Sequence, residues 1–258
     1  MKLPAFFIAH GSPLLALEDN DYTRFLTRLG QDLPLPRGIV VFSAHWDSPE
    51  QLVTVDGQHE AQHDFYGFPD EMYELAYPAP GDPLLSRRIC ELFKKHNLAH
   101  QPILGRGLDH GVWVILQKMF PKADIPVVAL SVDSLRSPSE QYEIGRMLAP
   151  LRDEGILFIG SGGLIHNLRL LNEKDQPEDW ALSFDEWIAK ALEAWDLPSL
   201  FAYEKKAPHV REAVPSYGRE HFVPLFYAMG TADEGRRAQR MIQAYQYGTL
   251  SLNCWMLD

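Results

Sequence analysis

Basic residues are in short supply in this chain of 258: 24 Lys and Arg stand against 35 Asp and Glu, a formal charge of −11. A nucleic-acid footprint needs clustered Lys and Arg to displace counterions, so no nucleic-acid partner is expected. The acidic excess favours no particular partner in return. Cysteine is scarcer still. Cys90 and Cys254 are the only two, far apart and outside any CxxC spacing, which argues against a disulfide scaffold or a cysteine-ligated zinc. Both are expected to be buried thiols. No apolar run approaches the ~20 residues of a membrane span, and no basic stretch leads into a long apolar one near Met1. A cytoplasmic protein without a membrane partner is the expectation. Repeats, low-complexity tracts and linkers are also missing, which points to one domain over 1–258.

Several familiar catalytic signatures are absent too. There is no HExxH, no P-loop, no strand running into GxGxxG and no GxSxG elbow. The "GSGG" at 160–163 lacks the dinucleotide fingerprint and reads as a tight turn.

What the chain does have is a set of short, nearly continuous apolar runs. "PAFFIAH" (4–10), "GIVVFSAHW" (38–46), "PVVALSVD" (126–133) and "GILFIGSGG" (155–163) read as strands covered on both faces. Helical patterns lie between them. "DPLLSRRICELFKKHN" (82–97) places Leu84, Leu85, Ile89, Leu92 and Phe93 on one stripe behind an Asp82 cap. The stretch 137–155 has Pro138 early and Gly155 at its end, and 177–195 is a third helix. Alternation of this kind predicts an α/β fold with a largely parallel central sheet flanked by helices. Ligands in such sheets gather at the carboxyl ends of the strands.

Histidines stand at those ends. His10 closes the first run, His45 closes the second, and His166 follows the fourth after a glycine turn. His110 in "GLDHGVW" and the Glu220–His221 pair in "REHFVPL" are further candidates. His59, His96, His100 and His209 sit in polar surroundings and are assigned to solvent. His63 belongs to a long aromatic loop, "HDFYGFPDEMYELAYPAPG", that suits either a pocket wall or packing over the sheet. A histidine cluster without cysteine suits Fe(II), Zn or Ni, and the spacing alone does not choose among them.

The ordered set "AHGSP" (9–13), "SAHW" (43–46), "HDFYGFP" (63–69), "YPAPG" (77–81), "LDHG" (108–111), "GSGGLIHNL" (160–168) and "REHFVPL" (219–225) resembles the class III extradiol ring-cleavage dioxygenases, and within them the DOPA-type branch. Each motif is short; the order is specific, and it spans nearly the whole chain. The resemblance implies a metal centre at the carboxyl ends of the strands, with Fe(II) for activity and zinc as an alternative bound metal. It implies a small catechol and O2 as partners and a ring-opened semialdehyde acid as product. By the same resemblance His10 and His45 are metal ligands. The third ligand is His221, with Glu220 as its partner or the alternative ligand. His166 is the acid–base histidine and a candidate fourth ligand in the resting state, and His110 is a second catalytic histidine that lines the pocket and can hydrogen-bond substrate or bound oxygen. Two other readings stay open: a non-enzymatic, Memo-like metal-binding or regulatory protein, and a zinc-dependent hydrolase. The Trp-bearing C-terminal region (Trp187, Trp195, Trp255) is expected to pack in the core.

Overall fold

A computed structural model describes residues 2–172 and 176–258. The four apolar runs form strands β1 (Ala5–Ala9), β2 (Gly38–Asp47), β5 (Val127–Val132) and β6 (Ile156–Gly162), which lie side by side and parallel in the order β5-β2-β6-β1. The sheet extends beyond them at both edges. On one side β3 (Gln51–Thr54) pairs antiparallel with β5 and parallel with β4 (His100–Ile103). On the other, β10 (Cys254–Leu257) pairs antiparallel with β1, and β7 (Ala238–Ile242) pairs antiparallel with β10 at the edge. A small ribbon, β8 (Tyr245–Gln246) with β9 (Leu250–Ser251), joins them.

The strands read as unbroken apolar runs because both faces are covered. Phe6, Ile8, Ile39, Val41, Val127, Leu157 and Ile159 point to one core, under α1 (Asp21–Asp32) and α3 (His110–Met119). The alternate residues Phe7, Val40, Phe42, Val128, Leu130 and Phe158 point to the other. That side is covered by α2 (Pro83–Lys95), α4 (Pro138–Leu148), α5 (Asp179–Glu193) and α9 (Pro224–Thr231). Short helices α6 (Leu197–Leu200), α7 (Tyr203–Lys206) and α8 (Val210–Ala213) fill the gap between α5 and α9. Asp82 caps α2 by accepting from Leu84 and Leu85 N–H, and Gly155 ends the 137–155 segment in the left-handed conformation at φ 78°. Among the described residues no helix is long and apolar enough to cross a membrane.

Some expectations are corrected. Leu84 faces outward, 68% exposed, because the stripe of α2 is carried by Leu85, Ile89, Leu92 and Phe93. His100 is half-buried instead of solvated: it opens strand β4, and its Nδ1–H donates to the Leu98 carbonyl at 2.9 Å. His59 is not solvated: it is buried, and its Nε2–H donates to the Val127 carbonyl at 2.9 Å, stitching its loop to β5. Cys254 is buried in β10, but Cys90 is only half-buried on α2. Trp255 is fully buried and Trp195 nearly so, while Trp187 packs partly buried against the same core.

Candidate metal centre

The register of the sheet brings two of the histidines to one edge. Ala9 pairs with Gly162 and Ser43 with Ser161, so His10 and His45 both emerge at the carboxyl ends of β1 and β2, flanking β6. The pairing of β2 with β5 slips between Phe42 and Asp47, and His45 lies in that irregular stretch. The chain turns away after His10 through Gly11, whose φ of 59° is natural for glycine.

His221 arrives from the other side, on a 3-10 turn (Arg219–His221) just before α9. It reaches the strand ends because β6 carries glycine there. A Cβ at Gly160 would lie 2.3 Å from the Pro224 carbonyl oxygen, and one at Gly162 would lie 2.1 Å from that of His221. The glycines of "GSGG" that matter most are thus strand residues permitting close backbone approach; only Gly163 lies past the strand, in the turn before His166.

Three ring nitrogens converge. His45 Nε2 is 3.0 Å from His10 Nε2 and 3.3 Å from His221 Nε2. Their protonation follows from what the opposite nitrogens touch. Ser161 Oγ donates to the Gly111 carbonyl, so toward His10 it can only accept, and His10 carries its proton on Nδ1 (2.9 Å). His221 Nδ1–H likewise donates to Glu220 Oε1 at 3.0 Å. His45 Nδ1 faces Asp64 Oδ2 at 3.5 Å. Each Nε2 is therefore left with a lone pair, and three lone pairs aimed at one point repel unless a cation lies between them. For metal–nitrogen bonds of about 2.0–2.1 Å, these separations subtend about 90–110° at the ion, the range of octahedral to tetrahedral sites. The donor set fits a borderline divalent metal, and outer partners fix the rings of His10 and His221 as metal-ligating histidines require.

The surroundings keep the imidazoles neutral. Burial, then the neighbouring histidines, drives His10 and His221 well below the ordinary imidazole value. Burial and the charge of His110 bring His45 down to about 3, against the pull of Asp64. Neutral imidazole is the form that binds metal. Glu220 is pushed upward by burial and by Asp47. Its carboxylate is occupied by His221 Nδ1, and it is His221 that joins the three-nitrogen cluster.

His166 lies outside that cluster. Its ring stacks on His221 with centroids 3.5 Å apart and planes 3° from parallel, and burial lowers it to about 4. His110 opens α3 with its ring 4.0 Å from that of His45. His63 does not enter the site; its Nε2–H donates to the Leu75 carbonyl, and its ring props Phe65 from behind. His96 and His209 are exposed. The aromatic loop does form a wall: a cavity of about 490 Å³ opens over His45, His110 and His166, bounded by Phe65, Phe68 and Tyr66 of that loop and by Leu168, Leu171 and Leu250 opposite.

Sequence reasoning passed over Asp64, Ser161 and Arg106. Arg106 donates to the His45 carbonyl (3.2 Å) and to Asp109 (3.0 Å) while lying over Trp46, and Asp109 accepts from Ser43. Together they brace the irregular end of β2. Asp64 and Ser161 lay inside motifs already singled out, yet their partners are 46 and 151 residues away, beyond any local signal.

Known proteins resemble the chain over nearly its whole length. Residues 4–254 match the family model described as the catalytic LigB subunit of aromatic ring-opening dioxygenase. The chain is 40% identical to a 4,5-DOPA dioxygenase extradiol of Escherichia coli, over 97% of this chain and 93% of that one. It is 39% identical to a protein of the same name from Beta vulgaris, over 95% and 93%. A crystal structure of an uncharacterized Escherichia coli K12 protein superposes with a TM-score of 0.83 at 35% identity, covering both chains completely. The chain therefore belongs to the LigB family of aromatic ring-opening dioxygenases, extradiol oxidoreductases that depend on a metal.

Proposed function

We propose that this protein holds Fe(II) through His10, His45 and His221 and cleaves the ring of a small catechol beside its diol, with O2, to a ring-opened semialdehyde acid. The observation that carries this reading is the convergence of three Nε2 lone pairs at 3.0 and 3.3 Å beneath a cavity with an aromatic and aliphatic wall. When bound, the metal supplies an open face on which catechol and dioxygen meet and through which electron density passes between them. Zinc suits the same nitrogens but supplies no such electron transfer.

The protein's own groups do the rest. Phe65, Phe68, Leu168 and Leu250 exclude water and clasp the ring between apolar surfaces. His166, lowered to about 4 by burial and by His110, is neutral near pH 7, so it offers a lone pair to a catechol hydroxyl and returns the proton later. His110 flanks the same cavity. The relatives' printed names point to DOPA; the apolar wall suits a catechol with a neutral or apolar substituent at least as well. Whichever catechol is physiological, the family placement favours this reading over a metal-binding module or a zinc hydrolase.

The test is anaerobic loading with Fe(II), followed by oxygen-electrode assays with catechol, 4-methylcatechol, 3,4-dihydroxyphenylacetate and L-DOPA. One O2 consumed per catechol, with a yellow ring-opened product, is expected for at least one of them. No uptake with any would overturn the reading. His166→Ala should keep the metal and lose turnover by about 10²–10⁴-fold.

A further inference from the structure

Asp64 lies in the aromatic loop, 46 residues from His110, yet its Oδ1 accepts two hydrogen bonds from that one residue. The backbone N–H of His110 donates at 2.9 Å and the ring Nδ1–H at 3.0 Å. The backbone contact pins the carboxylate at the first turn of α3, where helix N–H groups have no partner within the helix. The ring contact then settles the tautomer. An ionised carboxylate only accepts, so the proton must sit on Nδ1, and Nε2 carries the lone pair. Nε2 makes no hydrogen bond with the described residues, and the ring lines the cavity. The second oxygen, Oδ2, faces Nδ1 of His45 at 3.5 Å. One carboxylate thus holds a ring of the substrate cavity while standing beside, without a hydrogen bond, a ring of the metal cluster.

We propose that Asp64 is a positioning residue for ring cleavage: it locks His110 in the Nδ1–H tautomer and presents the Nε2 lone pair to a catechol hydroxyl. The inference rests on the dioxygenase reading above. The step is a proton transfer only. The hydroxyl O–H bond breaks, its electron pair stays on oxygen, and the proton forms a bond to His110 Nε2. The resulting imidazolium keeps its Nδ1–H on Asp64, whose negative charge offsets it; no oxidant or reductant enters. His166, stacked on the ring of His221, is left to the second hydroxyl and to the later return of a proton.

The same three side chains have ligand atoms within 4.8 Å of one another, the arrangement of a second metal site. Metal counting separates the two ideas. The experiment uses zinc-loaded protein with 15N-labelled histidine, whose His110 nitrogens are assigned by their loss in His110→Ala. The parent should show the Nδ1–H tautomer and one metal per chain. Asp64→Ala should lose the tautomer preference, keep the metal and, when Fe(II)-loaded, lose about 10²–10⁴-fold in kcat with KM changed less than about threefold. Asp64→Asn keeps an accepting oxygen without the charge, so it should retain the tautomer and recover part of kcat. In a His110→Ala background, Asp64→Ala should cost nothing further. The proposal is overturned by an unchanged tautomer or kcat in Asp64→Ala, by an additive loss in the double variant, or by a second metal that departs with Asp64. A parent that cleaves no catechol would sink the dioxygenase reading instead, and the tautomer measurement would still report on Asp64.

Discussion

Replacing Gly162 by alanine tests how His221 comes to be at the centre. The new Cβ would stand 2.1 Å from the His221 carbonyl oxygen and 3.1 Å from its carbon, both backbone atoms that cannot rotate away. An ordinary carbon–oxygen contact is about 3.3 Å, so the segment bearing His221 must retreat by about 1.2 Å. Metal–ligand distances tolerate only about 0.2 Å. The displacement is several times larger, and one of three nitrogens should be lost to the ion. Overpacking of this kind costs about 1–3 kcal/mol, a fall in Tm of about 2–12 °C for a domain of this size. The protein should fold, yet bind divalent metal more weakly than the ~10–100-fold loss typical of a missing outer partner. The neighbouring Gly163 supplies the control, because a Cβ there meets nothing closer than 3.7 Å. Calorimetric metal titration of Gly162→Ala, Gly163→Ala and the parent reads the result. Parent-like affinity in Gly162→Ala, or an equal loss in Gly163→Ala, would refute the argument that β6 glycines seat His221.

Three further outcomes follow from other contacts. Ser161→Ala removes the acceptor of His10 Nδ1–H and should weaken metal binding by about 10–100-fold, with a fall in Tm as the Gly111 carbonyl also loses its hydroxyl donor; competition with a chelating dye reads the affinity. Metal-free protein should lose stability on acidification. With His45 at about 3 and His166 at about 4 against an ordinary 6.5, the unfolded chain binds protons that the folded one refuses. Stability is then complete above pH 6.5 and falls toward pH 4, by about 3 kcal/mol from His166 alone; urea midpoints across that range that stay flat would contradict the neutral-histidine assignment. Arg152, fully buried, donates to the carbonyls of Leu3 (2.7 Å) and Thr231 (3.1 Å) and to Asp258 (2.8 Å), tying both chain ends together. Arg152→Met leaves two carbonyls without donors and should cost about 2–5 kcal/mol, visible as a lower Tm with unchanged metal stoichiometry.

The parallel centre of the fold was legible because strands covered on both faces leave unbroken apolar runs, and each of the four runs became a strand. The position of His10 and His45 followed from the same runs. The edge strands were not legible. β3 and β4 are four residues each, while β10 pairs with β1, and β7 with β10, from the far end of the chain. His59 was misassigned for a related reason: polar neighbours in sequence say nothing of a carbonyl 68 residues away. The "GSGG" run was read for turn-forming freedom, whereas Gly160 and Gly162 serve by having no Cβ where another backbone presses in. Asp64 carried no periodicity, cap position or motif weight of its own, and its meaning exists only once α3 has folded against the aromatic loop.

The most direct test of the central claim is isotopic. Fe(II)-loaded protein is given a catechol it turns over under 18O2, the product is trapped before its aldehyde oxygen exchanges, and its mass is read. Two 18O atoms in one ring-opened molecule are expected. Product carrying only solvent oxygen, or an intact oxidised ring with no label, would contradict extradiol cleavage at the His10–His45–His221 centre.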